Sequence, residues 1–367
     1  MKARAAIFVE ERHPLVLDEI DIDGPREGEA LVKLQATGIC HTDLYTMSGR
    51  DASAYWPAVL GHEGGGEVVE VGKGVKSLAV GDHVVPLFIS ECGTCPECKS
   101  TQTNLCSALD DTYYKGLMPD GTTRLHWHGK DLLHFMGTTT FAEYTVVPEI
   151  ALAKVRKDAP LDRVCLLGCG ITTGVGAARW TAKVTPGSTT AVFGCGPIGL
   201  NAVRGCYLQG ASKVIALDLH DDRLAMASVF GATHTVNASD GKGVEAVKDL
   251  TGGGADFTFE ATGNVRVMRQ ALEACRYGGG KCTLIGVAGK GEELSITPRL
   301  LISGRVLTGT AFGGCKGRTQ LPGLVDEYME GKVLIDELVT DEIPLEKIND
   351  ALELMKQDKG YRYVVKY

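Results

Sequence analysis

The sequence predicts an α/β protein of two domains, one β-rich and one built on a doubly wound, six-stranded parallel sheet. Three observations carry this prediction. Short β-branched runs broken by Gly, Pro and Asp extend to about Glu149, a strand–helix–strand rhythm follows from about Ile171, and the chain has 367 residues. That length suits two to three domains of roughly 100–200 residues.

In the first part, residues 29–34, 66–71 and 82–87 alternate or cluster β-branched residues between turn formers, as strands do. Residues 107–137 are polar, contain Gly and His, and carry few strand or helix signals. A stretch of that length is expected to be a functional or lobe-forming loop. In the second part, candidate strands at 189–193, 213–218, 234–236, 256–260, 281–286 and 306–311 alternate with helical segments such as 221–230 and 265–275. Parallel strands need crossover helices, so this order is that of a doubly wound sheet. The tail adds an amphipathic helix over 345–357, with Ile348, Ala351, Leu352 and Met355 at helical spacing, and a strand at 363–366.

Composition excludes several function classes. Hydrophobic residues make up 44% and charged residues 23% of the chain, ordinary for globular enzymes, and no apolar run approaches the ~18 residues that a membrane span needs. The apolar stretch at the N-terminus ends at Glu10, too short for a signal-peptide core, so a cytoplasmic chain is expected. The net charge of −8 comes from interspersed acids and bases, leaving no basic field to attract nucleic acid. Glycine, at 47 residues, is nearly twice its usual ~7% share and points to many tight turns. Twelve cysteines without an export signal read as metal ligands or reduced thiols rather than disulfides.

Gly194-Cys195-Gly196-Pro197-Ile198-Gly199 follows the apolar strand Ala191-Val192-Phe193 and opens a helix. The first glycine serves a tight turn, the second lets the backbone touch a pyrophosphate, and the third allows close helix–strand packing. The helix N-terminus then offers free N–H groups to the phosphates. Asp218 ends the next strand 19 residues after Gly199, where a carboxylate accepts the adenosine ribose hydroxyls and repels the extra phosphate of NADP. NAD is therefore expected. The competing reading is a structural turn with an Asp that caps the next helix.

Cys92, Cys95, Cys98 and Cys106 form C-x2-C-x2-C-x7-C, four thiols within 15 residues, the pattern of a closed structural zinc site. An iron–sulfur cluster or free thiols are the alternatives. Cys40, His62 and Cys169 are dispersed; two thiolates and an imidazole suit a catalytic zinc with an open position, but spacing alone does not assemble them, and a buried Cys or satisfied His is the ordinary alternative. His126, His128 and His134 admit a third metal site or a solvated loop. Cys165, Cys195, Cys206, Cys275, Cys282 and Cys315 read as core thiols.

Cys40-His41-Thr42-Asp43, Gly61-His62-Glu63-Gly64, the four-cysteine run, Cys169 and the glycine motif stand in the order and spacing of the zinc-dependent medium-chain alcohol dehydrogenases. The chain resembles that family along its whole length. It is similar in particular to the class III members, the glutathione-dependent formaldehyde dehydrogenases, at 115–122, 165–170 and 309–314. The resemblance implies a GroES-like catalytic domain of residues 1–170 and 312–367, with a zinc lobe at about 90–107, interrupted by a Rossmann NAD-binding domain of residues 171–311. It also implies oxidation of primary alcohols to aldehydes, and the reverse, with hydride transfer to NAD and two zinc ions per chain. Cys40, His62 and Cys169 would hold the catalytic ion with Glu63 able to approach it, and Cys92, Cys95, Cys98 and Cys106 the structural ion. Asp43 would orient the His62 ring and Thr42 receive the alcohol proton. His41 and Arg362 would contact the pyrophosphate, Arg223 a ribose, and Thr173 and Ile198 the nicotinamide. Gly194, Gly196, Pro197, Gly199, Asp218 and Val287 complete the implied cofactor set.

Two departures bear on chemistry and substrate. Where some relatives place an exit histidine, this chain has Tyr45; a phenol with a pKa of about 10 accepts protons poorly at pH 7, so exit through water is expected. Where class III enzymes place an arginine that grips a glutathione carboxylate, this chain has Asp110. Losing such a charge-assisted pair costs about 2–5 kcal/mol. The expected substrates are therefore larger or apolar primary alcohols, with S-(hydroxymethyl)glutathione, gripped by Lys115 or Arg124, as the alternative. Asp51 and Ser53 keep half of an expected acidic pair, and Trp56 and Phe88 add aromatic bulk near the substrate. A zinc-free reductase using NADPH, or a non-catalytic dinucleotide-binding relative, is opposed by Asp218 and by Cys40, His62 and Cys169. The apolar edge strand 306–312 predicts a homodimer, with a tetramer open.

Overall fold

The computed structural model describes residues 1–51 and 54–367; Ser53 lies outside the described residues. The chain divides into two compact units, Met1–Cys169 with Lys316–Tyr367, and Gly170–Cys315.

In the first unit, Lys2–Phe8, Val16–Ile22, Leu125–Trp127, Lys130–His134 and Ala58–Val59 close into a small barrel. A second sheet runs Leu152–Val155, His83–Pro86, Glu63–Val71, Glu29–Gly38, Arg362–Lys366, Val339–Pro344, with Tyr144–Pro148 also paired to Glu29–Gly38. Alternation sets the cores. Ala30, Val32 and Leu34 point to one face and pack with Val68, Val84, Val147 and Leu152, while Ile7, Phe8, Ile20, Leu60, Leu132 and Phe141 fill the barrel side.

The stretch 107–137, expected as a functional or lobe-forming loop, holds regular elements. It holds a four-residue helix, Asp110–Tyr113, and the hairpin Leu125–Trp127/Lys130–His134. His128 and Gly129 form its two-residue turn with φ of 50° and 72°, the left-handed pair that matches the twist of a hairpin. Strands of three and five residues are too short to show a period.

The hairpin locks a buried polar network. Arg124, fully buried, donates from Nε and Nη2 to the Glu29 carboxylate at 2.9 and 2.6 Å and from Nη2 to Asp120 at 2.8 Å. Its backbone N–H donates to His134 Nε2 at 3.1 Å, which assigns the ring hydrogen to Nδ1, 3.4 Å from Thr139 Oγ1. Burial, then the Arg124 cation, then His126 push His134 down to about 3.

In the second unit, six parallel strands, numbered within it, are Thr189–Phe193 (β1), Lys213–Asp218 (β2), His234–Asn237 (β3), Phe257–Glu260 (β4), Lys281–Leu284 (β5) and Val306–Gly309 (β6), in the order β3-β2-β1-β4-β5-β6. Interior strand β2 buries Val214, Ile215, Ala216 and Leu217 in succession, as a strand covered on both faces must. The crossovers include Pro197–Leu208, Asp221–Val229, Gly243–Thr251 and Val265–Glu273. Strand β5 ends two residues before its sequence estimate because the N–H groups of Ile285 and Gly286 both turn to the Glu260 carbonyl. The tail helix is Ile348–Lys356 behind a 3-10 turn, with Ile348, Ala351, Leu352 and Met355 buried as expected. No single helix among the described residues is long and apolar enough to cross a membrane.

The neutral His134 makes stability depend on pH. The unfolded ring titrates near 6.5, so below that pH the unfolded chain binds a proton that the folded chain refuses, and stability falls on acidification. Between pH 7 and pH 5, urea unfolding should show about 2 kcal/mol less loss in His134→Gln than in the parent chain. Equal losses in the two proteins would remove His134 as a cause.

Candidate active site

Strand register gathers the dispersed donors. Gly38 pairs with Glu63 on one side and Val364 on the other, so Cys40, His62, Glu63 and Arg362 all sit at one end of three adjacent strands. A Cβ at Gly38 would collide with Glu63 Oε2 and with Leu166, so only glycine permits this approach. Cys40 caps the helix His41–Met47, and Asp43 at its third position reaches back: Oδ2 accepts the Cys40 N–H at 3.0 Å. The other oxygen, Oδ1, accepts the Gly61 N–H at 3.2 Å and lies 3.3 Å from His62 Nδ1.

The donor atoms of Cys40, His62, Glu63 and Cys169 all lie within 4.8 Å of one another, and all four residues are buried. His62 Nε2 is buried with no hydrogen-bond partner, which in a site this polar leaves it available to a metal. With Nδ1 beside Asp43, the ring is set as a ligand ring oriented by a carboxylate. The Cys169 thiol donates to Cys40 and holds it well below the usual thiol range, with His62 and Arg362 adding to the effect against burial; Cys169 is correspondingly raised. Burial opposes a charged His62 ring, but Asp43 outweighs it and raises the ring to about 10. This donor set fits zinc. Arg362, expected at the pyrophosphate, donates here from Nη2 to Glu63 Oε2, both side chains being buried. Thr42 Oγ1 lies 3.5 Å from Cys40 Sγ, and His41 is exposed.

The second donor set is Cys92, Cys95, Cys98 and Cys106, again within 4.8 Å. Cys92 and Cys98 sulfurs are 3.9 Å apart, and those of Cys95 and Cys106 3.8 Å. Four sulfurs at Zn–S distances of ~2.3 Å define a tetrahedron with edges of about 3.8 Å, so the preformed spacing fits that ion. The N–H groups of Thr94 and Cys95 donate to Cys92 Sγ at 3.4 and 3.3 Å, and that of Cys98 to Cys95 Sγ at 3.3 Å. Residues after the second unit close this lobe. Lys316 Nζ donates to the carbonyls of Cys98 and Ser100 at 2.5 and 2.7 Å, and Thr319 donates to the Glu91 carboxylate from N and Oγ1, each at 3.0 Å. Among the described residues no third set of donors comes together: His126 pairs with Asp23 and Asp131 through opposite ring nitrogens, His128 pairs with Asp18, and His134 belongs to the Arg124 network.

In the second unit the glycine motif forms the turn from β1 into the helix Pro197–Leu208. Gly194 has φ of 94°, and a Cβ at Gly199 would overlap the Gly194 carbonyl, so close packing requires glycine there. Gly196 caps the helix and has nothing within 4 Å of where a Cβ would stand, with Pro197 at the first helical position, an open cradle that suits a pyrophosphate. Asp218 Oδ2 accepts the Cys195 N–H at 2.7 Å and Oδ1 those of Leu219 and His220 at 2.8 and 3.1 Å, fixing the carboxylate beside the motif. Ile198 is half-buried in the same turn, and Thr173 is buried in Gly170–Gly176. Arg223 is half-buried and Val287 exposed.

On the substrate side, Phe88 stands edge-on to His62 at 6.1 Å between centroids, and Trp56 edge-on to Phe8 at 5.9 Å. Phe135, which the sequence reading missed, packs edge-on to His62 at 6.0 Å. Tyr113, also missed, donates its hydroxyl to the Phe88 carbonyl at 2.6 Å and so ties the helix bearing Asp110 to that aromatic wall. Neither lies in a motif; only recognition of the helix Asp110–Tyr113 and the hairpin within 107–137 would have pointed to them. Asp110 is exposed, and Asp51 Oδ2 accepts Thr46 Oγ1 at 2.9 Å. Arg124, one of two bases considered for gripping an anionic adduct, is buried against Glu29 and Asp120 and unsuited to it, whereas Lys115 is exposed.

Residues 26–157 match the alcohol dehydrogenase GroES-like domain, and residues 197–330 the zinc-binding dehydrogenase domain. The chain is 50% identical to the class-3 alcohol dehydrogenase of Dictyostelium discoideum, over 99% of this chain and 97% of that protein. It belongs to the zinc-dependent medium-chain alcohol dehydrogenases. Another relative, the S-(hydroxymethyl)glutathione dehydrogenase of Escherichia coli O1:K1, is 50% identical over the full length of both chains. The solved benzyl alcohol dehydrogenase of Acinetobacter calcoaceticus superposes with a TM-score of 0.93 at 33% identity, covering 100% of this chain and 99% of that one. As a medium-chain alcohol dehydrogenase this protein is an NAD-dependent zinc oxidoreductase, and its two donor sets suit one catalytic and one structural ion.

Two metal measurements check the site. Asp43→Asn should weaken retention of the catalytic zinc about 10–100-fold in chelator competition, because the His62 ring loses its oriented carboxylate. Cys95→Ser should lower metal content from two zincs per chain to one. Unchanged zinc retention in Asp43→Asn, or unchanged zinc content in Cys95→Ser, would contradict the corresponding assignment.

Proposed function

We propose that this alcohol dehydrogenase oxidises S-(hydroxymethyl)glutathione with NAD. The observation that carries the reading is full-length identity of 50% to a chain named for that substrate. The order in which the sequence ranked the two substrates is thereby reversed. A second reading, larger apolar primary alcohols, is favoured by the exposed Asp110 on the helix anchored to Phe88, where a glutathione carboxylate would meet negative charge.

In either reading Cys40, His62 and Cys169 hold the metal, and Glu63, paired with Arg362, stands in reserve as a further donor. A zinc ion held by those residues would supply the Lewis acidity that favours loss of a substrate hydroxyl proton, and NAD would supply the hydride acceptor. Thr42 takes the hydroxyl proton. Asp43, 3.3 Å from Nδ1, keeps the ring of His62 oriented so that Nε2 faces the other donors as a ligand. Phe88 and Phe135 line the site with apolar surface that excludes water and confines the substrate carbon. The glycine turn and Asp218 bind the adenosine half of the cofactor. Tyr45 does not serve as a proton acceptor, and the proton leaves through water. The protein works as a cytoplasmic homodimer joined through the edge of β6, where Val306 is 48% exposed.

The deciding measurement is kcat/KM for S-(hydroxymethyl)glutathione against octanol and cinnamyl alcohol. A preference for the adduct is expected; a preference of tenfold or more for the alcohols would overturn the proposal in favour of the second reading. Asp110→Arg should raise kcat/KM for the adduct about tenfold or more while leaving octanol unchanged.

A further inference from the structure

Two cysteines of the second unit belong to neither zinc set. Cys275 follows the helix Val265–Glu273, and Cys282 lies in β5; both are fully buried in one apolar cluster. Thr258 of β4 brings them together. It is the register partner of Cys282, and its Oγ1 stands 3.0 Å from Cys275 Sγ. The turn between them folds back tightly: a Cβ on Gly280 would stand 2.9 Å from Cys275 Cβ. Residues 276–279 of that turn, which include Gly278 and Gly279, are exposed, so the segment joining the two buried cysteines runs over the surface.

The pair also differs from the other core thiols in chemistry. Burial, outweighing a hydrogen bond from Thr190, pushes Cys206 up to about 12. Cys275 is instead lowered, first because the Cys282 thiol donates to it, and then, against burial, because Thr258 and the Arg305 cation favour its thiolate; Cys282 is raised and keeps the shared proton. One sulfur is poised as nucleophile and its neighbour as resolving thiol.

We propose that Cys275 and Cys282 are a reversible redox pair that peroxide oxidises to a disulfide. The Cys275 sulfur attacks one oxygen of hydrogen peroxide, the O–O bond breaks, and Cys275 becomes a sulfenic acid as the first water leaves with the thiol proton. Cys282 then attacks that sulfur, the S–S bond forms as the S–O bond breaks, and its proton departs with the hydroxyl as a second water. Two thiols lose two electrons, one peroxide gains them, and the turn 276–281 is closed into a ring joining the helix end to β5.

The test exposes the zinc-loaded enzyme to graded hydrogen peroxide, alkylates it under denaturing conditions, and reads each cysteine by peptide mass spectrometry. The expected result is an unalkylated peptide pair containing Cys275 and Cys282, lighter by two hydrogens and restored by dithiothreitol. In Cys282→Ala, Cys275 should instead accumulate as a sulfenic acid that dimedone labels. Complete alkylation of both cysteines at a peroxide dose that oxidises the zinc-binding cysteines overturns the proposal. So does a Cys282→Ala protein with native circular dichroism whose Cys275 never takes dimedone. The parent-chain measurement decides the matter by itself if that variant fails to fold.

Discussion

The pairing of Gly38 between Glu63 and Val364 is the constraint on which the catalytic half depends. It is a backbone relation, set by ladder hydrogen bonds, yet it determines which side chains share a space a few ångströms wide. A slip of one residue in a sheet turns every side chain to the opposite face. Here such a slip would separate Glu63 from Arg362 and carry His62 away from Asp43. The apolar cores that fix the register therefore also fix the site.

Asp43 converts that register into chemistry. One buried carboxylate satisfies the N–H groups of Cys40 and Gly61 and stands beside the His62 ring, so the helix start, the strand start and the ligand ring are positioned by the same two oxygens. A buried charge without partners is costly; this one has two backbone donors and a ring within reach.

The second half of the fold was legible from the residues because its strands are buried on both faces and read as apolar runs between helices, as at Val214–Leu217. The glycine turn was legible for a steric reason that the structure bears out at Gly199. The four-cysteine set was legible because all its ligands are near in sequence. The catalytic donors were not: Cys40, His62 and Cys169 are joined only by long-range pairing, and resemblance rather than spacing brought them together. The hairpin at 125–134 was missed because its strands are three and five residues long and its turn uses His128 where Asn or Asp is the familiar signal. Phe135 and Tyr113 were missed with it. Arg362 shows a different limit: sequence located the residue, but its engagement with Glu63 depends on where two strands end.

The closure of the cysteine lobe by Lys316 has a consequence for how the protein is assembled. Lys316 reaches a carbonyl 218 residues earlier in the chain, across the entire intervening unit. During synthesis from the N-terminus, the four thiols emerge long before Lys316, the residue that ties the backbone of their loop, so the lobe is anchored only after the whole dinucleotide-binding unit has been made. Chain order thus separates the appearance of the ligands from the anchoring of the loop that carries them.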